Sequence, residues 1–123
     1  MARKLRNIKL YILDIINSIR KINEYIIGFD FQTFSNDSKT IDAVIRNLEI
    51  IGEAATQIPI KFRNENDFID WRALSDFRNV VIHEYFGVNI RIIWDIIKNE
   101  LPALNEQITN LSLQIEDELF EWE

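Results

Sequence analysis

The sequence predicts an all-α fold, an antiparallel four-helix bundle, and three observations carry that prediction. Apolar residues recur at three- and four-residue spacings along four separate stretches, the period of helices that bury one face. No stretch alternates apolar and polar residues as a half-buried strand does. Gly28, Pro59 and Gly87 fall between the periodic stretches, at positions where helices stop.

The first helix sets Leu5, Ile8, Ile12, Ile15, Ile19, Ile22 and Ile26 on one continuous stripe and ends near Gly28. "FDFQTFSNDSKT" has no long period and reads as a connection with room for one short helical turn. In "TIDAVIRNLEIIGEAATQI" the inward set is Ile41, Val44, Leu48, Ile51, Ala55 and Ile58, and Pro59 closes the helix. At about 100° per residue, Asp42, Arg46, Glu49 and Glu53 gather on its opposite face. That face is either a solvated stripe carrying an Arg46–Glu49 ion pair or one wall of a cleft.

"PIKFRNENDF" is a second connection, and a third helix should run from Ile69 or Asp70 to Phe86, with Trp71, Leu74, Phe77 and Val81 inward. Asn89 can cap a fourth helix with Ile93, Ile97, Leu101, Leu104, Ile108 and Leu111 inward. Pro102 lies inside that pattern. It lacks an amide donor and clashes with the preceding turn, which predicts a kink or short break near Lys98 to Leu101. Residues 1–115 then form a single helical domain, and 116–123 an acidic tail that frays after about Gln114.

With 123 residues, nearly half of them apolar, the chain can bury one hydrophobic core. Its 20 Asp and Glu against 14 Lys and Arg, net charge −6, argue against holding nucleic acid by bulk charge, so any RNA contact must be local. Arg3, Lys4, Arg6, Lys9, Arg20 and Lys21 crowd the start and Glu116, Asp117, Glu118, Glu121 and Glu123 the end, as if one end attracted phosphate and the other repelled it. Without cysteine there is no disulfide or thiolate, and one histidine per chain excludes the usual histidine-rich metal sites, so neither metal nor cofactor is expected. The opening "MARKLRNIKLYILDII" is broken by Asp14, Asn17 and Arg20 and carries no cleavage pattern, and no run approaches the roughly 20 apolar residues of a membrane span. A cytoplasmic protein is expected.

The chemistry concentrates in "RNVVIHEY", residues 78–85, which holds the one histidine. On a regular helix Asn79 and His83 share a face, whereas Arg78 and His83 are about 140° apart, a gap that a long arginine side chain can span. Histidine, with an ordinary pKa of about 6.5, can take a proton at neutral pH, and arginine can grip a phosphate through two parallel hydrogen bonds. Together they suit RNA cleavage by 2′-hydroxyl attack, which needs no metal when cationic groups stabilise the developing charge. The acid that protonates the leaving oxygen would then be the histidine of a second subunit across a two-fold axis, placing the site in a homodimer interface. A lone histidine near a helix end also serves as a cap or a hydrogen-bonded surface group, so spacing alone leaves both readings open. Trp71, Phe77, Phe86 and Trp94 flank the motif and either stack bases or pack the bundle.

"FRNVVIHEYFGVN" resembles the Arg-x4-His-x-Tyr signature of the HEPN superfamily, in particular HepT-like toxins that are paired with MntA-like nucleotidyltransferase antitoxins. "AVIRNLEIIGEAATQIP", "IDWRALSDFRN" and "IIWDIIKNELPAL" are similar to the flanking segments of those proteins, in order over most of residues 5–111. The resemblance implies a homodimeric HEPN domain with a metal-independent endoribonuclease site between subunits. Arg78 and His83 would be its catalytic pair, Asn79 a supporting group, and Tyr85 the residue that the antitoxin adenylylates. It also touches Arg46 and Glu53, recurring polar positions of the second helix, whose place in the cleft or in solvent stays open. The alternative is a non-catalytic helical subunit that docks a nucleotidyltransferase.

Overall fold

The isoleucine stripe of the first helix is the spine of the core. In the computed structural model, which describes the backbone of residues 2–87 and 89–122 and the side chains of 3–81 and 89–119, Ile12, Ile15, Ile19 and Ile22 are all fully buried. They belong to α1 (Ala2–Tyr25), which packs against α3 (Ser38–Gln57) on one side and α7 (Leu101–Trp122) on the other. α5 (Trp71–Gly87) lies on α3, and all described regular structure is helical.

The first connection contains the helical turn that its length allowed, α2 (Phe31–Ser35). Asp30 accepts from the Thr33 backbone N–H at 2.8 Å, and the Thr33 hydroxyl accepts from the Asp30 N–H at 2.9 Å, a reciprocal cap. The backbone hydrogen bond from Thr33 holds the Asp30 carboxyl below its ordinary pKa, helped by the threonine hydroxyl. So tethered, α2 drives Phe34 fully into the core, against Trp94 at 5.0 Å between ring centroids. Asp37 accepts from Thr40 N–H at 3.0 Å and starts α3 three residues before Ile41.

The second connection is more ordered than its composition suggests. After Pro59, whose φ of −56° is already helical, six residues form α4 (Ile60–Glu65). Its Phe62 meets Trp71 edge to face at 6.5 Å, and the Trp71 indole N–H donates to the Asn66 carbonyl at 3.0 Å. A tertiary contact of this kind leaves no period in so short a segment.

Asn89 occupies the N-cap position of α6 (Ile90–Asp95), where its backbone carbonyl, not its side chain, accepts the first helical bond, from Ile92 N–H at 3.0 Å. An irregularity does fall just before Pro102, where one was expected. A π-helical turn over Ile96–Glu100 joins α6 to α7, and its wider ring closes when the Leu101 N–H donates to the Ile96 carbonyl. Such a widened turn is one of the ways in which a helix accommodates a proline.

The last helix extends beyond Gln114. Helix α7 runs to Trp122, because Ile115 is buried and Leu119 packs on the core, extending the inward set by two further turns. Lys9 forms an ion pair with Glu116, and Lys4 and Glu118 line one groove between α1 and α7. The basic start and the acidic end therefore adjoin along α1 and α7. No described helix is long and apolar enough to cross a membrane.

Candidate active site on the α3–α5 crossing

Two consecutive residues of α3 receive the motif arginine of α5. At Gly52, buried in mid-helix, a Cβ atom would stand 2.6 Å from Arg78 Cγ and 2.9 Å from the Arg78 backbone nitrogen. Any side chain there would push the helices apart, so glycine lets the arginine stem lie directly on the α3 backbone. The next residue takes the head: Glu53 Oε2 lies 3.0 Å from Arg78 Nε, an ion pair. Of the ion pairs among the described residues, this one and Lys9–Glu116 join different helices, and the others lie within one helix.

The pair is about half exposed, with side-chain accessibilities of 44% for Arg78 and 54% for Glu53. The carboxylate draws the guanidinium towards α3. The two terminal nitrogens keep the fork that matches a phosphate. Among the described residues no second carboxylate lies within ion-pair distance of Arg78.

The structure separates the two polar residues of α3 that the sequence grouped. Arg46 pairs with Glu49 at 3.4 Å along its own helix, the surface ion pair expected of a solvated stripe, whereas Glu53 reaches across to α5. Both line a shallow groove of about 250 Å³ between α1 and α3, together with Tyr11, Asp14, Ile50 and Ala54. Arg46 thus pairs within α3, and Glu53 pairs with the motif arginine.

Asn79 is exposed, the next residue along α5 from Arg78. The backbone stays helical to Gly87, so His83 follows Arg78 by about 7.5 Å of axial rise. The side chains of His83, Tyr85 and Phe86 lie outside the described residues. Trp71, Phe77 and Trp94 are buried in the bundle core, which removes them as base-stacking platforms. Among the described residues, no three of His, Asp and Glu are gathered as a metal ion would need.

Gly52 is the site residue that the periodicity hid. Its signal was present, a glycine in mid-helix within "IIGEAA", where helix propensity disfavours it by about 1 kcal/mol unless close packing requires it.

Residues 15–111 match the family described as Ribonuclease HepT-like, a span that contains Gly52, Glu53 and the whole motif. The chain belongs to the HepT-like ribonuclease family. Its fold is accordingly the all-α HEPN fold. A "Probable ribonuclease HepT" from Thermococcus cleftensis is 41% identical over 106 residues, covering 86% of this chain and 96% of that protein. A "Putative RNase" from Methanocaldococcus jannaschii is 35% identical over 113 residues, 92% of this chain and 93% of its own. Another protein with that name, from Caldanaerobacter subterraneus, is 38% identical over 101 residues, 82% and 90% of the two chains. No solved structure matches.

Proposed function

We propose that the protein is a metal-independent endoribonuclease and the toxic member of a toxin–antitoxin pair, acting in the cytoplasm with Arg78 and His83 as catalytic residues. The observation that carries this reading is the motif arginine, held in an exposed, oriented position on α3 by Gly52 and Glu53, in a chain of a ribonuclease family. An arginine presented in this way suits an anionic substrate better than a structural role, because a half-exposed ion pair adds little to stability.

In the proposed reaction the His83 imidazole removes the 2′-hydroxyl proton of a ribose. The freed oxygen attacks the adjacent phosphorus while Arg78 balances the charge growing on the phosphoryl oxygens. The 5′-oxygen leaves with a proton from the partner subunit's His83 in a homodimer, giving a 2′,3′-cyclic phosphate and a 5′-hydroxyl. Asn79 supports the geometry. Control falls to Tyr85: a nucleotidyltransferase partner of the MntA-like kind joins the tyrosine oxygen to the α-phosphorus of ATP and releases pyrophosphate. The resulting AMP group puts a bulky anion beside the site, where it repels an RNA backbone.

Purified protein should cut RNA in excess EDTA and leave cyclic-phosphate ends, and a strict need for a divalent ion would overturn the metal-independent reading. Co-expression with the nucleotidyltransferase should leave Tyr85 peptides carrying AMP. One observation favours a second reading, a non-catalytic subunit that docks the nucleotidyltransferase: Glu53 already neutralises the motif arginine in a chain of net charge −6. Such a subunit, expressed without its partner, should leave growth unaffected.

A further inference from the structure

We propose that Glu53 is a positioning residue for RNA cleavage, which sets the orientation of Arg78 before substrate arrives. The inference rests on the ribonuclease reading above and adds to it a specific task for a residue of another helix.

Two independent observations carry it. The Arg78 stem is confined, because its Cγ and backbone nitrogen occupy the space that any Cβ at position 52 would take. The Arg78 head sits separately beside the carboxylate of Glu53, its Nε 3.0 Å from Oε2. A free arginine in water samples many rotamers, and ordering it when substrate binds costs entropy that slows the reaction. Here part of that ordering is already present in the free protein. A carboxylate beside Nε competes less with a phosphate than one on the terminal fork would.

The carboxylate also carries a penalty that makes its role testable. As a negative charge beside a phosphate site it opposes RNA binding, so an account based on charge alone predicts that removing Glu53 improves both binding and rate. Positioning predicts a split. Loss of the carboxylate leaves KM unchanged or lower and reduces kcat, because the arginine is no longer aligned with the charge of the transition state.

The experiment compares wild type, Glu53→Ala, Glu53→Gln and Arg78→Lys on a defined RNA oligonucleotide. In parallel, the Arg78 Nε–H resonance is recorded by NMR and assigned by its loss in Arg78→Lys. For Glu53→Ala, kcat should fall by about 10- to 100-fold, the scale of a small misplacement of a catalytic group, with KM no higher than wild type. Glu53→Gln keeps an acceptor oxygen without the charge and should recover most of the rate. The Nε–H signal should be alike in wild type and Glu53→Gln and shifted, with faster solvent exchange, in Glu53→Ala. Wild-type kcat in Glu53→Ala, no recovery in Glu53→Gln, or an Nε–H signal indifferent to residue 53 would each overturn the proposal. If wild type cuts no RNA, the ribonuclease reading fails and the NMR comparison still decides whether Glu53 holds Arg78.

Discussion

Gly52→Ala is the substitution for which ordinary helix chemistry and this structure predict opposite signs. Alanine in a helix interior is normally better than glycine by about 1 kcal/mol, because glycine loses more backbone freedom on folding. At position 52 the added methyl would stand 2.6 Å from Arg78 Cγ, 2.9 Å from the Arg78 backbone nitrogen and 3.4 Å from Arg78 Cβ. The Cγ atom can rotate away, but the backbone nitrogen moves only if α5 shifts off α3. Overpacking of this kind costs about 1–3 kcal/mol, and the backbone clash puts it in the upper half of that range. Net of the propensity gain, the variant should be destabilised by about 1–2 kcal/mol. With about 2.1 cal/mol/K of unfolding entropy per residue over 123 residues, the melting temperature should drop by about 4–8 °C. Urea titration followed by circular dichroism measures the change, with an unaltered slope showing that two-state unfolding is preserved. RNA cleavage should fall as well at temperatures where the variant is fully folded, since the displaced atoms belong to Arg78. Gly28→Ala is the control: at φ +79° with nothing within 4 Å, it suffers backbone strain of about 1 kcal/mol and leaves cleavage untouched. A Gly52→Ala protein more stable than wild type and fully active would refute the close crossing of α3 and α5.

Phe34→Ala should cost about 3–5 kcal/mol in urea unfolding, because a fully buried ring in contact with Trp94 is removed from the core. Because the folded-state pKa of Asp30 is lowered, its cap contributes stability fully above the ordinary carboxylate pKa of about 3.9 and loses it as pH falls through the lower folded value. Melting curves of wild type and Asp30→Asn should therefore differ in their slope against pH only in that acidic window. Lys9→Glu replaces an attraction to Glu116 with a repulsion and should lower stability by about 1 kcal/mol, an effect that shrinks in salt titration.

The helices were legible because burial imposes a period. Ile8 to Ile26, Ile41 to Ile58 and Ile93 to Leu111 are buried where their spacing put them. What spacing could not show was set by contacts between segments distant in sequence. Helix α4 exists through Phe62 meeting Trp71, and the π-helical turn depends on how Pro102 is accommodated in a helix already packed. The same limit applies to the site. The arginine was visible in "RNVVIHEY", but its partner Glu53 shared a face with Arg46 in any helical projection, and the partners separate only when α5 is laid on α3. Charge placement was the least legible feature: a basic start and an acidic end looked like poles until α1 and α7 proved to be neighbours.

The most direct test of the central claim is an inducible growth assay, without any partner protein, of wild type, His83→Ala, Arg78→Ala and Tyr85→Phe, with each purified protein then incubated with total RNA in EDTA. The account predicts that wild type and Tyr85→Phe arrest growth and cut RNA, while folded His83→Ala and Arg78→Ala do neither. Four folded proteins that are equally silent, or a His83→Ala protein as active as wild type, would contradict it.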